Sequence, residues 1–499
     1  MSTNKLPSYF QSDFSAGQIT DINETIRPRN SVSLGLNVDF DHELGSAVTR
    51  LGTFIVGGQM VAGNSILGLH NFTTPTPTSK LFSAINDIGG ATAVIYDEAG
   101  DVVVTGLTAS RKVRFLTYLG SMLAINGVDA ERAWNGSAWI TTGGAFDLAN
   151  FPGSNGNHLC AEFLDRVYAA GDTAEPDRLY YSNVPTAGAI TWTGGDAGNV
   201  DIEAEDGGGG ITALDKVPGY LLIFKARSLH RWNFETTFPE SLVSIGTPSQ
   251  ESVIAQAGIV GFFSASARDV KGFYVTNGGR PVPISHLRTK NIARWVEAIP
   301  NSAYSSVAGW GDENHFYWSV GDLTVDGQLY HNVVFRWSIK TGEWCVRTYP
   351  TKFTVGTQYL NGEGEVVLVA GDNNGHVIEI NKPDTFTDYV TVSGETGYTA
   401  IPYDLRTYQE KFRYNQTKSL TDRIVVSTRN GAGAVPYVIV NGKQTVNLAS
   451  IVGDTHEAQL TETLTGNYFE FGVRGTVQGM RTTIKEIEVP GIVINQNFQ

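Results

Sequence analysis

From residue 51 to residue 384, short runs of alternating or continuous apolar residues recur at intervals too regular for one continuous sheet. Examples are "AVIYDEAGDVVVTG", "GYLLIFKARSLHRWNF", "GFYVTNGGRPVPIS", "HNVVFRWSIKTGEWCVRTY" and "EVVLVAGDNNGHVIEIN". Comparable units begin near Ile66, Phe115, His158, Ile211, Ser252, Ser305 and Phe353, about 40–55 residues apart. Propeller blades repeat at roughly 40–50 residues. Each unit supplies three or four strands, enough for one small twisted sheet that cannot bury both faces alone. Stacking such sheets around an axis buries the faces and shelters the edges. The expected fold is therefore all-β, with a β-propeller of about seven blades. The range is six to eight, because a closing blade can borrow an N-terminal strand.

The punctuation supports strands. Gly (56 residues) and aromatics are plentiful, charged residues are only 17%, and "TNGGR" and "DNNGH" supply the Asn and Gly that tight hairpin turns need. Only Leu287–Ile299 carries helical spacing, through Ile292, Trp295, Val296 and Ile299. The repeats hold no WD pair and no regular kelch glycine pattern. After Lys382-Pro383 the texture changes. Residues 385–499 hold 10 Lys+Arg against 11 Asp+Glu and four strand candidates, "DRIVVSTR", "PYVIVNG", "YFEFGVRG" and "TIKEIEVPGIVI". The expected organisation is an N-terminal arm over 1–50, a propeller over 51–384 and a β-sandwich over 385–499.

Net charge is −14, and nearly all of it lies in residues 1–384. A protein that grips nucleic acid through its phosphates needs a basic patch, so that class is disfavoured. Cys160 and Cys345 are too few and too far apart for a disulfide framework and read as small buried hydrophobes of a reducing cytosol. No apolar run is long enough to span a membrane, and the first residues lack the pattern of a secretory leader.

A search for chemistry returns little. The chain has no GxxxxGK[ST], no GxSxG and no HExxH; "HEAQL" at His456 lacks the second His, and "NGKQ" at Asn441 reads as a hairpin turn. His158 and Cys160 share a strand face by default rather than as ligands. "WNGSAW" at Trp134 lacks the Asp of a sialidase Asp-box and reads as a hairpin with two packing tryptophans. A propeller glycosidase needs two carboxylates flanking a pocket, and no spacing among the 50 acids singles out such a pair. The expectation is a protein without catalytic residues, cofactor or metal.

Three segments resemble a known family. They are "GLNVDFDHELGSAVTRLGT" (Gly35–Thr53); "DRVYAAGDTAEPDRLYYSNV" (Asp165–Val184) with "DGGGGITALDKVPGYLLIFKARSLHRW" (Asp206–Trp232); and "GNYFEFGVRGTVQGMRTTIKEIEVP" (Gly466–Pro490). Together they are similar to the β-propeller tail proteins of tailed bacteriophages, including the nozzle (tail-tube) and packaged-DNA stabilisation proteins of short-tailed phages. The resemblance follows most of the chain in order but rests on loose patterns with no catalytic motif. It implies a virion component assembled in the host cytoplasm and located in the tail. It further implies a closed homo-oligomeric ring, six copies being expected, below the portal and adaptor, with contacts to other tail proteins or fibres and to the host cell surface. Double-stranded DNA would pass through its centre.

One stretch stands out electrostatically. "DAGNVDIEAEDGGGG" (Asp196–Gly210) carries Asp196, Asp201, Glu203, Glu205 and Asp206, with no Lys or Arg between Leu179 and Asp215. Three origins are open. The acids line a DNA channel, where a repulsive wall lowers friction on a sliding duplex. Or the stretch is a solvated connection between blades, with Val200, Ile202 and Ala204 inward and the glycines permitting a tight passage into "ITAL". Or clustered acids beside a glycine turn hold calcium, although the spacing is not that of an EF-hand loop. The resemblance itself favours a blade junction. Two further functions remain as alternatives. One is a tail-tip propeller that recognises surface glycan through an exposed shelf including Tyr304, Trp310 and Trp318. The other is a carbohydrate-active propeller enzyme.

Overall fold

The computed structural model describes residues 9–20, 27–73, 79–152, 156–203, 208–236, 238–266, 270–287, 289–392, 395–411, 417–477, 479–490 and 492–494. Seven sheets, spanning 66–108, 114–140, 159–201, 211–243, 254–283, 308–348 and 353–380, form blades 1 to 7. The first strand of each blade touches the first strands of its neighbours, and that of blade 7 (Phe353–Leu360) touches that of blade 1 (Ile66–Thr73). The ring therefore closes, with first strands innermost. Those strands begin at Ile66, Arg114, Leu159, Ile211, Ile254, Ala308 and Phe353, within three residues of the units read from sequence. Closure uses a borrowed strand: Thr53–Ile55 pairs antiparallel with Val377–Ile380 as the outer edge of blade 7.

Packing explains why the repeats exist. Apolar side chains from facing sheets fill each gap between blades, for example Phe82, Ile95, Met122 and Trp134 between blades 1 and 2. Phe263, Phe273, Trp318 and Trp344 fill the gap between blades 5 and 6. Phe273 and Trp318 stack with centroids 4.6 Å apart, and such a large side chain stabilises by about 1.5–3 kcal/mol when fully buried. Two indole N–H groups of blade 6 are satisfied across the gap to blade 5: Trp318 donates to the Ser252 carbonyl at 3.0 Å and Trp344 to that of Ile284 at 3.2 Å. "WNGSAW" is the expected hairpin, with Trp134 and Trp139 rings 6.0 Å apart.

The four C-terminal strand candidates appear as Arg423–Arg429, Val435–Val440, Phe469–Thr476, and Thr483–Val489 with Ile492–Ile494. The described residues of the expected N-terminal arm, 9–20 and 27–50, pair instead with strands of the other two regions. Tyr9–Gln11 and Ala47–Thr49 both pair with Thr483–Val489, and Val38–Asp39 extends that sheet. Leu34–Leu36 lies between Trp344–Thr348 of blade 6 and Pro402–Arg406 of the sandwich. Blade 6 thus runs without a break into a nine-stranded sheet that ends in the sandwich. Strands of two or three residues are too short to show alternation, which is why sequence patterning missed them.

The expected helix over 287–299 shrinks to Ala293–Glu297. Its apolar positions are used as anticipated, since Ile292, Trp295, Val296 and Ile299 are all buried. The residues before it pair instead, His286–Leu287 with Lys290–Asn291, and Pro300 follows its end.

Candidate functional site

The acidic stretch lies at the outer edge of blade 3. Gly198–Asp201 is that blade's fourth strand, and the chain then crosses to Ile211–Val217, the inner strand of blade 4. Val200 and Ile202 are buried while Asp201 and Glu203 are exposed, as alternation predicts. Arg178 Nε donates to Asp201 Oδ1 at 2.8 Å, and Asp196 contacts the buried Arg166. The fully buried Lys225 ties the junction, donating to the Glu203 carbonyl at 2.9 Å and meeting Asp177 Oδ1 at 2.9 Å. Gly210 permits the passage: a Cβ there would lie 2.8 Å from Pro176 Cβ, and the next amide, Ile211 N–H, donates to the Pro176 carbonyl at 2.8 Å. Glu205 and Asp206 lie outside the described residues.

The axis of the propeller holds a different arrangement. Lys112 and Arg114 sit at i and i+2 in "RKVRF", so an extended chain points both the same way while Val113 is buried on the other side. Arg114 Nη2 donates to Glu251 Oε1 at 2.7 Å, and Nη1 to the His158 carbonyl at 3.0 Å. Blades 2 and 5 stand nearly opposite in the ring, so this ion pair crosses the axis. Beside it lies a cavity of about 240 Å³ lined by the start of the inner strands, including His70, Cys160, Gly309 and Thr354. Burial pulls His70 down to about 4 and pushes the Cys160 thiol up to about 12, so both are neutral at pH 7.

A buried charge cluster joins the propeller to the sandwich. Asp39 Oδ1 meets Arg347 Nη2 at 2.7 Å and its Oδ2 meets Arg481 Nη2 at 3.1 Å, with Arg336 Nη1 3.6 Å from Oδ1. Burial by itself would raise this carboxyl; the three guanidiniums outweigh it and hold it near 2. Two residues on, Arg336 Nη2 donates to both Asp41 oxygens at 2.9 and 2.8 Å. His315 Nε2 is 2.8 Å from Asp41 Oδ2, and its Nδ1 is 2.9 Å from Asp312 Oδ1. Arg50, fully buried, binds the Asp388 carboxylate through both terminal nitrogens and donates from Nε to Asn37 Oδ1 at 2.9 Å. Gly52 follows because the chain presses against its neighbour: a Cβ there would stand 2.1 Å from the Thr387 carbonyl oxygen.

The first segment of the resemblance holds Asn37, Asp39, Asp41 and Arg50 and the third holds Arg481, but no spacing in the sequence ties them to His315, Arg336, Arg347 or Asp388. The available signal was three charges, in "VDFDHE", set among short apolar segments. Of the aromatic shelf, Trp310 and Trp318 are buried in the core at 2% and 0% exposure, so no shelf of these three faces solvent. Among the described residues no group of three or more His, Cys, Asp and Glu is arranged to hold a metal ion. Among them, too, no helix is long and apolar enough to cross a membrane.

No protein-family model matches the sequence, and no curated protein does. Solved structures resemble the chain distantly. The Pan2 WD40 domain of Neurospora crassa shares 8% identity at a TM-score of 0.37, covering 66% of this chain and 96% of that one. The N-terminal domain of Nup159 shares 10% identity at a TM-score of 0.37, covering 70% and 99%. The extracellular domain of the one-component system BT4673 from B. thetaiotaomicron shares 10% identity at 0.41, covering 92% and 62%. At this distance the likeness concerns fold alone, and the chain is described as a seven-bladed β-propeller on the strength of its own closed ring of sheets.

Proposed function

We propose that this chain is a structural component of a tailed-phage virion, the nozzle or hub ring below the portal and adaptor through which the genome is retained and released. The observation that carries this reading is where the segments of the resemblance meet. Residues of the first segment (Asn37, Asp39, Thr49, Arg50) interlock with Arg481 and Thr482 of the third at the seam, Thr482 N–H donating to Thr49 Oγ1 at 2.9 Å. Two of the three segments of the resemblance thus meet at the seam between sandwich and propeller, and the second supplies strands of blades 3 and 4. A propeller and sandwich sharing one sheet form a stiff unit, suited to holding position under the load of packaged DNA. The propeller axis, crossed by Arg114 and Glu251, leaves no room for a duplex. Any DNA passage therefore lies between subunits of a ring, in which heterologous contacts repeat around the symmetry axis. Within this reading the outer edge of blade 3 faces that passage and presents Asp196, Asp201 and Glu203 to the DNA; Glu205 and Asp206, expected to share that role, lie outside the described residues.

The test is the mass of the native particle, with negative-stain images of it. A closed ring, six copies being expected, with a central hole wide enough for a duplex agrees with the proposal. A monomer sends the question to intact virions, probed with an antibody or by peptide mass spectrometry. A monomer absent from every virion of its source rejects it.

A further inference from the structure

We propose that the axial cavity is a binding site for a compact oxyanion, a phosphate or carboxylate group on a small molecule. Lys112 and Arg114 project into a cavity whose nearby carboxylate, Glu251, is bonded to Arg114. A third cation, Lys352, stands close enough to act electrostatically on Lys112. The chain as a whole carries −14, so a local excess of positive charge runs against its composition. The Lys112 ammonium has three N–H donors, and one reaches the Thr354 carbonyl of blade 7 at 2.9 Å. The opposing charge that acts on it is Glu251, which is already bonded to Arg114, while His70 and Cys160 are neutral at pH 7. Burial also pulls the ammonium below its ordinary range, a cost that a bound anion offsets.

Size sets the ligand class. At ~30 Å³ per water, a cavity of about 240 Å³ has the volume of roughly eight waters. That admits phosphate or a short dicarboxylate and excludes a polynucleotide. An anion held there would draw together the segments that bring Lys112, Arg114 and Thr354 to the axis, so binding should stabilise the closed ring of blades. The site does not depend on the virion assignment.

The test uses the full purified chain. Its thermal midpoint is followed while sodium phosphate or sodium malonate is added, against sodium chloride at matched ionic strength. A saturable rise of about 2 °C at tenfold excess over Kd is expected for at least one of them. It should vanish in Lys112→Gln, which keeps a donor for the Thr354 carbonyl. Saturation by phosphate alone assigns a phosphate ligand, by malonate alone a carboxylate, and by both a general oxyanion site. No saturable rise with either anion, or an undiminished rise in Lys112→Gln, overturns the proposal. If Lys112→Gln does not fold, calorimetry on the unaltered protein decides. One-to-one binding of either anion that Lys112→Arg preserves supports the site, and no binding overturns it.

Discussion

Two acid-bearing stretches of this chain hold the same side chains in opposite surroundings. At the outer edge of blade 3, Asp196 and Asp201 are paired with arginines yet remain more than half exposed, at 56% and 57%. At the seam, Asp39 and Asp41 are 8% and 12% exposed and meet arginines from distant parts of the chain. Exposed pairs are screened by water and contribute little. A buried carboxylate without its partner would be costly, so the seam arginines and aspartates depend on one another. The stretch that is most conspicuous in the sequence is therefore the one with less structural weight.

The sharpest way to break that comparison is Asp39→Ala. It leaves Arg336, Arg347 and Arg481 without a shared counter-ion, and a loss of about 3–5 kcal/mol is expected in denaturant unfolding at pH 7. The pH dependence follows from sign. The folded carboxyl sits near 2, below its unfolded value of ~3.9, so its contribution is present above about 4 and fades as pH falls toward 2. The difference between Asp39→Ala and the parent should shrink over that window; a constant difference would refute the ion-pair account.

Gly52→Ala tests close packing at the same seam. Its Cβ would meet backbone rather than a movable side chain, so a cost of about 1–3 kcal/mol is expected in the same unfolding measurement. An unchanged midpoint would mean that the contact with Thr387 relaxes freely.

Asp215 sharpens the comparison from a third setting. It lies half-buried on the inner strand of blade 4 beside Lys216, and burial pushes its carboxyl up to about 6 although the Lys216 N–H donates to Oδ1 at 2.8 Å. Because the folded value exceeds ~3.9, its contribution is full below about 4 and is lost as pH rises through 6. Asp215→Asn should therefore be more stable than the parent at pH 7, by up to about 3 kcal/mol, and nearly equal to it at pH 4. Equal midpoints at both pH values would show that water reaches this carboxylate.

The smallest effect is expected at the outer edge. Asp201→Asn should leave the unfolding midpoint within experimental error, since its partner Arg178 is a surface residue. A loss comparable to that of Asp39→Ala would erase the distinction between the two stretches.

Alternation and turn residues are local properties, and what depends on them was legible in the sequence. The starts of the seven inner strands, the junction after Ile202, the hairpin at Trp134 and the C-terminal strands all follow from patterns a few residues long. The sequence also allowed for a closing blade that borrows an N-terminal strand, without singling out Thr53–Ile55 as that strand. The tertiary structure alone decided the rest. Asp39 finds its arginines 308 and 442 residues away, and Arg50 finds Asp388 at a separation of 338. No spacing rule reaches across such distances. Strands as short as Val38–Asp39 carry no period of their own and form only because the sheet beside them supplies hydrogen bonds. Charge could be counted from the sequence, but its burial depends on neighbours that only the folded chain brings together.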